Sequence, residues 1–285
     1  QLLIERQRRE AATREKQLAL ANANIVDQQL QLEESKRQNL IGFVVAMGII
    51  LLVALISLVY IRRSRQLLAV AKSQSDDLLL NILPVAVADE LKSQGAAAPK
   101  QYEQVSVLFV DITGFTRIAE KLSPAELVAE LDGYFREFDA ITEQHNLEKI
   151  KTIGDAYMCA GGIPEPNTTN AVDAVQAAMG ILACVQRLNG ERAAGGQDQW
   201  NVRIGIHTGR VVAGVVGAKK FAYDIWGDAV NTAARLESTS EPGRLNISKA
   251  THELVKNRFA CTYRGQIAAK NKGLIDMYFV DGPLA

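Results

Sequence analysis

Residues 41–61 form an uninterrupted apolar run, IGFVVAMGIILLVALISLVYI, in which none of the 21 side chains is charged. A helix of that length rises about 30 Å, which matches the hydrocarbon core of a bilayer. The alternative is a helix buried in a soluble domain, while the position and length of the run exclude a cleaved signal peptide. We therefore predict a single transmembrane helix over residues 41–61.

Basic side chains are more numerous after this run than before it. The nearest ones are Lys36 and Arg37 before it and Arg62, Arg63, Arg65 and Lys72 after it. Cytoplasmic segments of membrane proteins carry the excess of Lys and Arg. We therefore expect the protein in the cell membrane, in contact with lipid, with its C-terminal part in the cytoplasm.

Helix-forming compositions flank the run. Residues 5–40 contain no Gly or Pro, so residues 1–40 are predicted to be a helical extracytoplasmic or juxtamembrane segment, either a coiled coil or the continuation of an upstream sensor region. Because the chain begins at Gln1 rather than Met, we expect a piece of a longer protein. Residues 62–100 are predicted to hold a signalling helix and a linker, and residues 101–285 a globular domain.

Composition excludes some classes of protein. The chain carries 32 basic and 32 acidic residues, and this balance gives no indication of a nucleic-acid partner. Its cysteines, Cys159, Cys184 and Cys261, are far apart and belong to no CxxC or Cys/His cluster. We predict free thiols, without a disulfide framework or a zinc site.

The globular part alternates strand and helix patterns, which implies an α/β sandwich. Residues 105–110, VSVLFV, predict a buried strand ending at Asp111, and residues 148–160 predict a hairpin with its turn at Gly154 and Asp155. Ser123, Pro124 and Glu126 are typical of a helix start. Further along, the pattern predicts a helix over 169–188, a loop over 192–199, separate strands over 202–207 and 210–216, and a helix over 229–237.

Asp111 and Asp155 are candidate metal ligands. Each is predicted where a strand ends or turns, which would fix two carboxylates, and hard divalent cations prefer oxygen ligands. A lone Asp at a strand end is more often a helix cap or a turn former. Here, however, the two residues lie inside the longer motifs DITGFT at 111–116 and KIKTIGDAY at 149–157.

Together with YDIWGDAVNTAAR at 223–235, these motifs resemble the catalytic domain of the class III adenylyl cyclases, over roughly residues 104–280. The resemblance implies a ferredoxin-like βαββαβ core. It also implies an adenylate cyclase that converts ATP to 3′,5′-cyclic AMP and pyrophosphate, with two Mg²⁺ or Mn²⁺ ions in each active site.

The resemblance assigns the metal and phosphate contacts. Asp111, Asp155 and the backbone carbonyl of Ile112 would hold the metal ions. The turn after Asp111 would contact phosphate oxygens, because a glycine there lets backbone N–H groups approach them. The residues of that turn are Gly114, Phe115 and Thr116, and Lys270 matches the family lysine that contacts the β- and γ-phosphates.

Base choice depends on Lys151 and Asp224. A lysine donor and a carboxylate acceptor complement the N1 acceptor and N6 donor of adenine. In the family this Lys/Asp pair reads adenine, while Glu/Cys at the same places reads guanine. The pair therefore predicts ATP as the substrate.

Asn231 and Arg235 are spaced i, i+4, so they lie on one face of the predicted helix. The resemblance implies that the asparagine orients the ribose of the substrate. It implies that the arginine stabilises the negative charge on the pentacovalent phosphorus of the transition state. The alternative for Arg235 is a surface ion pair with Glu237 or Glu241.

In the family, one subunit supplies the metal aspartates and the other supplies the purine pair, the asparagine and the arginine. This chain has both sets, so we predict a symmetric homodimer with two composite sites, regulated through the membrane helix. The alternatives are a guanylate cyclase, a catalytically silent dimeric signalling module, and a polymerase-like nucleotidyl transferase with the same two-metal chemistry.

Overall fold

A computed structural model of the chain describes residues 2–217, 220–269 and 273–284, with side chains from residue 11 onward except at residue 269. The chain divides into two compact units, Gln1–Ser75 and Asp76–Ala285. The predicted domain boundary at residue 100 thus falls inside the second unit. The reason is that helix α2, Val85–Gln94, buries Val87 and Ala88 in the core of that unit.

The first unit is helical. It belongs to helix α1, Leu2–Leu80, which includes the apolar run, the predicted helical segment before it and the first part of the predicted segment 62–100 after it. Pro84 is the first proline of the chain. A proline disfavours the helical conformation of the residue before it, here Leu83, and this accounts for the end of α1 near Leu80. Within Ala11–Leu80 an 18-residue window has a mean hydropathy of 2.9 and is entirely unburied. By length and composition this segment is able to cross a membrane.

The second unit contains one eight-stranded sheet and six further helices among the described residues. The strands are β1 Lys100–Ile112, β2 Leu147–Ile153, β3 Ala156–Gly161, β4 Val202–Val216, β5 Ala222–Trp226, β6 Leu245–Ser248, β7 Phe259–Ala269 and β8 Gly273–Pro283. The helices after α2 are α3 Phe115–Ala119, α4 Pro124–Gln144, α5 Asn170–Ala194, α6 Asp228–Ser238 and α7 Lys249–Val255.

The order β2-β3-β1-β4-β6-β8-β7, with β5 paired to β4, contains the predicted βαββαβ core. Strands β1 to β4 pair only antiparallel with one another, and α4 and α5 are the crossovers. The predicted start of α4 is confirmed: Ser123 and Glu126 form a capping box, and Pro124 follows the cap.

Two apolar cores cover the two faces of the sheet. Helices α4, α5 and α7 pack on one face, where alternate residues of β1 such as Leu108 and Val110 point. Helices α2 and α6 pack on the other face, against Val107 and Phe109. Helix α6 carries Asn231 and Arg235, so its packing on the face that it shares with α2 determines where these two candidate site residues lie.

Two predicted elements differ in the structure. Residues 202–216 form the single strand β4 rather than two strands around Thr208 and Gly209, because β1 pairs with both halves. Helix α5 continues to Ala194, beyond the predicted end at residue 188, so the predicted loop over 192–199 begins inside a helix. Residue Arg192 stays helical because its guanidinium binds Glu130 and lies over the ring of Trp200.

The three cysteines are free, as predicted, with Cys159 and Cys184 buried. Burial raises the pKa of the Cys159 thiol far above its ordinary value. This thiol is therefore inert in the folded protein.

Candidate active site

Asp111 and Asp155 approach each other at one edge of the core. Asp111 is the penultimate residue of β1, and Asp155 lies in the β2–β3 turn that follows Gly154, whose φ is 64°. Burial raises the pKa of the Asp155 carboxyl, and the negative charge of Asp111 raises it further. The two carboxylates are thus close enough to repel each other, which is the electrostatic condition that a bound cation relieves.

The donor set fits a hard divalent ion that keeps water and substrate ligands. Within the described part of the chain, no group of three or more His, Cys, Asp or Glu side chains is placed to hold a metal. Mg²⁺ commonly binds one or two carboxylates together with the phosphates of its substrate. The pair Asp111 and Asp155, with the Ile112 carbonyl beside it, matches that pattern.

The turn after β1 leads directly into helix α3. Gly114 has a φ of 73° and is the N-cap residue of this helix, a conformation that favours glycine. Phe115 is half-buried against the core, and Thr116 is exposed. Phe115 and Thr116 thus begin the helix that follows the strand of Asp111, while Lys270 lies outside the described residues.

Lys151 and Asp224 meet across β2 and β5. The Lys151 Nζ donates a hydrogen bond of 2.5 Å to Oδ2 of Asp224, whose side chain is 16% exposed. The backbone N–H of Ile225 donates to the other oxygen, Oδ1, at 2.9 Å. A donor and an acceptor are thus held side by side and are hydrogen-bonded to each other.

Asn231 and Arg235 share the outer face of α6, as the spacing predicts. The opposite face buries Ala229, Ala233 and Leu236. Arg235 Nη1 donates to the carbonyl of Ala268 in β7 at 3.1 Å. Among the described residues the alternative ion pair of Arg235 with Glu237 or Glu241 is not formed. Glu237 is buried and binds Arg203, and the nearest basic group to Glu241 in an ion pair is Arg264, at 3.9 Å.

The candidate residues form separate groups within one chain. Hydrogen bonds and ion pairs of the described residues connect Lys151 with Asp224, but none connects that pair, Asn231 or Arg235 with the two metal-ligand candidates.

The sequence prediction did not name Arg203, and it considered Glu237 only as a surface partner of Arg235. Arg203 Nη2 donates to Asp111 Oδ2 at 2.7 Å, and Arg203 Nε donates to Glu237 Oε1 at 2.6 Å. Burial raises the pKa of Glu237 to about 7, with the nearby charge of Asp111 acting in the same direction and Arg203 against it. The local signal was a charged residue, Arg203, near the start of the predicted strand 202–207, and its partner depends on the register of β4 against β1.

The family model described as the adenylate and guanylate cyclase catalytic domain matches residues 97–282. This range contains the whole sheet except the last residue of β8, and all the candidate site residues. The chain belongs to this family, the class III adenylyl and guanylyl cyclases. The predicted family resemblance is confirmed, and residues 97–282 are the part of the chain that corresponds to the family's catalytic domain.

Curated relatives include enzymes for both purines. The adenylate cyclase of Mycobacterium tuberculosis is 37% identical over 221 residues, which cover 77% of this chain and 49% of that protein. The guanylate cyclase soluble subunit beta-2 of Rattus norvegicus is 36% identical over 214 residues, covering 75% of this chain and 31% of that protein. The chain thus spans about half or less of the length of these relatives.

Solved structures share the fold. The catalytic core of a rhodopsin-guanylyl cyclase with converted specificity, in complex with ATPαS, is 37% identical with a TM-score of 0.61 and covers 65% of this chain and 98% of that one. A dimeric guanylyl cyclase domain of the RhoGC fusion protein from Blastocladiella emersonii, in a non-standard arrangement, is 34% identical with a TM-score of 0.59, covering 65% and 99%. Related domains therefore bind nucleotides and form dimers.

Proposed function

We propose that the protein is an adenylate cyclase that converts ATP to 3′,5′-cyclic AMP and pyrophosphate. The observation that carries this choice of base is the pair Lys151 and Asp224. Their side chains meet at 2.5 Å, with Asp224 held by a backbone N–H, so an ammonium donor and a carboxylate acceptor lie side by side. An adenine edge needs this combination, with the donor on N1 and the acceptor on N6.

The same pair opposes guanine. Guanine presents an N1–H donor and an O6 acceptor, so it would set its donor against the ammonium of Lys151 and its carbonyl against the carboxylate of Asp224. Buried polar groups left unpaired in this way each cost about 1–3 kcal/mol, which corresponds to a large loss of kcat/KM for the wrong base.

Asp111, Asp155 and the Ile112 carbonyl would hold two Mg²⁺ or Mn²⁺ ions. When bound, these ions would favour ionisation of the ribose 3′-hydroxyl and neutralise charge on the leaving pyrophosphate. The remaining roles belong to the protein. Arg235 would donate its guanidinium hydrogen bonds to the non-bridging oxygens of the α-phosphate, where negative charge grows.

Asn231, one turn before Arg235 on the same exposed face, would orient the ribose so that its 3′-oxygen faces the α-phosphorus. The N–H groups of Gly114 and Phe115, the Thr116 hydroxyl and the Lys270 ammonium would contact the phosphates. Each of these groups supplies positioning or charge, which is what phosphoryl-transfer chemistry needs from a protein.

The active unit would be a homodimer. The metal-ligand pair and the group formed by Lys151, Asp224, Asn231 and Arg235 have no hydrogen bond or ion pair in common within a chain among the described residues. In a symmetric dimer each group can meet the other group of the partner, which gives two equal sites.

The apolar segment of α1 would anchor this dimer in the cell membrane as a single-pass helix. Arg62, Arg63 and Arg65 follow it, so the cyclase would face the cytoplasm. Residues 1–40 would lead to an upstream sensor region, and residues 62–100 would carry its signal as a change in how the two half-sites meet.

The second candidate is a guanylate cyclase, because guanylate cyclases are as similar to this chain as adenylate cyclases are. The full chain in detergent micelles, supplied with ATP or with GTP plus Mn²⁺, tests both candidates when the products are separated. Cyclic AMP from ATP, lost in Asp111→Asn, supports the proposal. Cyclic GMP as the main product would transfer the assignment to the second candidate.

A further inference from the structure

Buried polar side chains form one continuous series of hydrogen bonds, here called the polar chain, to which the proposed chemistry assigns no role. None of these side chains belongs to a residue that is more than 8% exposed. In bonding order the residues are Asn170 of α5, Ser106 of β1, Thr208 of β4, Thr251 of α7, Ser248 of β6 and His207 of β4. The successive contacts measure 2.7, 2.8, 3.1, 3.2 and 2.7 Å.

The polar chain passes from one face of the sheet to the other. Ser106 alternates with Leu108 on β1, so it points toward the face that α5 and α7 cover. His207 is the Cα partner of Val107, so it points toward the face of α2 and α6. Ser248 lies where the two faces meet, because it ends β6 and caps α7.

The proton of each hydroxyl can be placed by starting from Asn170. The side-chain amide of Asn170 donates to the carbonyl of Asn167 at 2.8 Å, so its Oδ1 is left to accept the proton of Ser106. A hydroxyl has only one proton to donate. Ser106 must therefore accept from Thr208, and Thr208 must accept from Thr251.

The same reasoning determines the last two links. Thr251 gives its proton to Thr208 at 3.1 Å rather than to the carbonyl of Ile206, which is farther away at 3.5 Å. The contact between Ser248 and Thr251 then contains a proton only if Ser248 donates it. Because Ser248 has no second proton, its contact with Nδ1 of His207 requires an N–H on that nitrogen.

The other ring nitrogen of His207 lies at the start of α6. A Cβ built on Gly209 would lie 3.1 Å from Nε2 of His207 and 3.2 Å from the Cβ of Ala229, so the ring edge and the first turn of the helix border the same gap. The N–H groups of a first turn have no partner within the helix and carry partial positive charge. A nitrogen that directs its lone pair there is complementary to them, whereas a second N–H is not.

Packing leaves room beside this ring. His207 lines a cavity of about 250 Å³ that Trp226 also lines. The charged residues around the cavity, Arg210 and Asp228, are exposed, so solvent screens their effect on the ring. The hydrogen bond to Ser248 is therefore the contact that we expect to orient the imidazole.

We propose that the polar chain fixes the ring proton of His207 on Nδ1, and that His207 held in this way is a positioning residue for α6. This inference rests on the proposed function and deepens it, because α6 carries Asn231 and Arg235. A displacement of catalytic groups by about 1 Å can lower a rate about a hundredfold. The polar chain thereby connects the candidate site to α5 and α7, which carry none of the candidate site residues.

The first measurement locates the ring proton. The full chain is labelled with ¹⁵N in its histidine rings and studied by magic-angle-spinning NMR in alkaline buffer, where an ordinary histidine is neutral. The chain has three histidines, and His207→Asn identifies the signals of His207 by removing them. Ring nitrogens with and without a proton have well separated ¹⁵N shifts. We expect a proton on Nδ1 and none on Nε2.

Thr251→Val removes one link of the polar chain and keeps the shape of the side chain. Ser248 then loses its acceptor at residue 251 and can donate to Nδ1 of His207. We therefore expect the ring proton to move from Nδ1 to Nε2 in this variant. Thr251→Ser keeps the hydroxyl, so the proton should stay on Nδ1.

The second measurement is steady-state kinetics on the same preparations. We expect Thr251→Val to lower kcat at least about tenfold, because the start of α6 is no longer held. The apparent constant for Mn²⁺ and the preference for ATP over GTP should stay within about twofold, since Asp111, Asp155, Lys151 and Asp224 lie outside α6. Thr251→Ser should keep kcat within about twofold of the original chain.

Thr142→Val is the matched control. Thr142 is a buried threonine of α4 whose hydroxyl donates to the carbonyl of Phe138 at 2.9 Å, outside the polar chain. We expect Thr142→Val and Thr251→Val each to lower the midpoint of thermal unfolding by about 2–4 °C, as the loss of one buried hydrogen bond would. Only Thr251→Val should lower kcat.

The inference is wrong if Nδ1 of His207 carries no proton in the original chain, or if Thr251→Val leaves the proton on Nδ1. It is also wrong if the proton moves while kcat is unchanged, or if Thr142→Val lowers kcat as much as Thr251→Val does. The proposed function fails in a different way. If the original chain cyclises neither ATP nor GTP, the cyclase assignment and the positioning role are both lost, while the NMR result still decides the orientation of the polar chain.

Discussion

The ammonium group of Lys151 lies 2.5 Å from Oδ2 of Asp224, and this contact joins the hairpin that carries Asp155 to the strand that precedes α6. Lys151 is on β2 and Asp224 on β5, two strands that are not paired in the sheet. The contact holds the two side chains in place before substrate binds. An adenine inserted between them would replace their one hydrogen bond by two, one to Lys151 and one to Asp224.

The double variant Lys151→Glu/Asp224→Cys should reverse the choice of purine. A carboxylate at 151 accepts from guanine N1–H, while the substitution at 224 removes the carboxylate that repels O6. We expect the ratio of kcat/KM for ATP to that for GTP to fall at least about a hundredfold, as for other sites whose polar groups become mismatched. Measurements on both nucleotides in the same preparation check this.

The single variants serve as controls for that exchange. Lys151→Glu alone places a second carboxylate beside Asp224 and should lose activity toward both bases. An unchanged preference for ATP in the double variant, with a normal thermal midpoint, would show that other residues choose the base.

Two inactive variants should complement each other if the active sites are composite. Asp111→Ala removes a metal ligand and Arg235→Ala removes the guanidinium proposed to bind the α-phosphate, so each homodimer has two damaged sites. A heterodimer would contain one site with both lesions and one with neither. We expect co-expressed, doubly tagged heterodimers to recover up to about half of the original activity.

The matched control is a heterodimer of Asp111→Ala with Asp155→Ala. Both lesions then lie in the same half-site, so each composite site keeps one defect and activity should stay absent. Equal activity in the two kinds of heterodimer would exclude shared sites.

Gly205→Ala should displace α6. Its new Cβ would lie 2.0 Å from the nitrogen of Glu237, and because that atom is backbone the helix itself must move. We expect a loss of about 1–3 kcal/mol in the free energy of unfolding, together with reduced kcat since Asn231 and Arg235 move with the helix. Thermal unfolding followed by tryptophan fluorescence and steady-state kinetics give the two quantities.

Gly190→Ala provides the comparison, because a Cβ at that position in α5 meets nothing within 4 Å. It should leave kcat unchanged and stabilise the helix by up to about 1 kcal/mol. If Gly205→Ala and Gly190→Ala have the same free energy of unfolding and the same kcat, the close approach at Gly205 does not contribute to stability or to activity.

Ser123→Ala should cost about 1 kcal/mol in the free energy of unfolding, because Ser123 caps α4 through the backbone N–H of Glu126. The N-cap of α5 is Thr169, whose side chain makes no such bond to the backbone. Thr169→Ala should therefore change stability by less than about 0.5 kcal/mol. Chemical denaturation of both variants tests the difference, and equal losses would argue against the capping box.

Local signals in the sequence predicted much of the fold. The capping residues at the start of α4, the turn at Gly154 and Asp155, and the i, i+4 face of α6 each depend on neighbours a few residues away. Such signals persist in the folded chain because helix caps and tight turns satisfy their own backbone groups.

Other features depend on contacts that no local pattern contains. Gly209 in the middle of β4 resembles a turn signal, yet β1 pairs with the strand on both sides of it. The contacts of Arg203 depend on strand register and on the packing of α6 at Gly205, which are both tertiary properties. The roles of the site residues, and the placement of α1 in a membrane, stay predictions.

The most direct test of the central claim is a competition between ATP and GTP for the full chain in detergent with Mn²⁺, with both cyclic products measured from one reaction. The account predicts cyclic AMP as the dominant product, with kcat/KM for ATP at least about a hundredfold above that for GTP. Equal or greater formation of cyclic GMP would contradict the reading of adenine by Lys151 and Asp224.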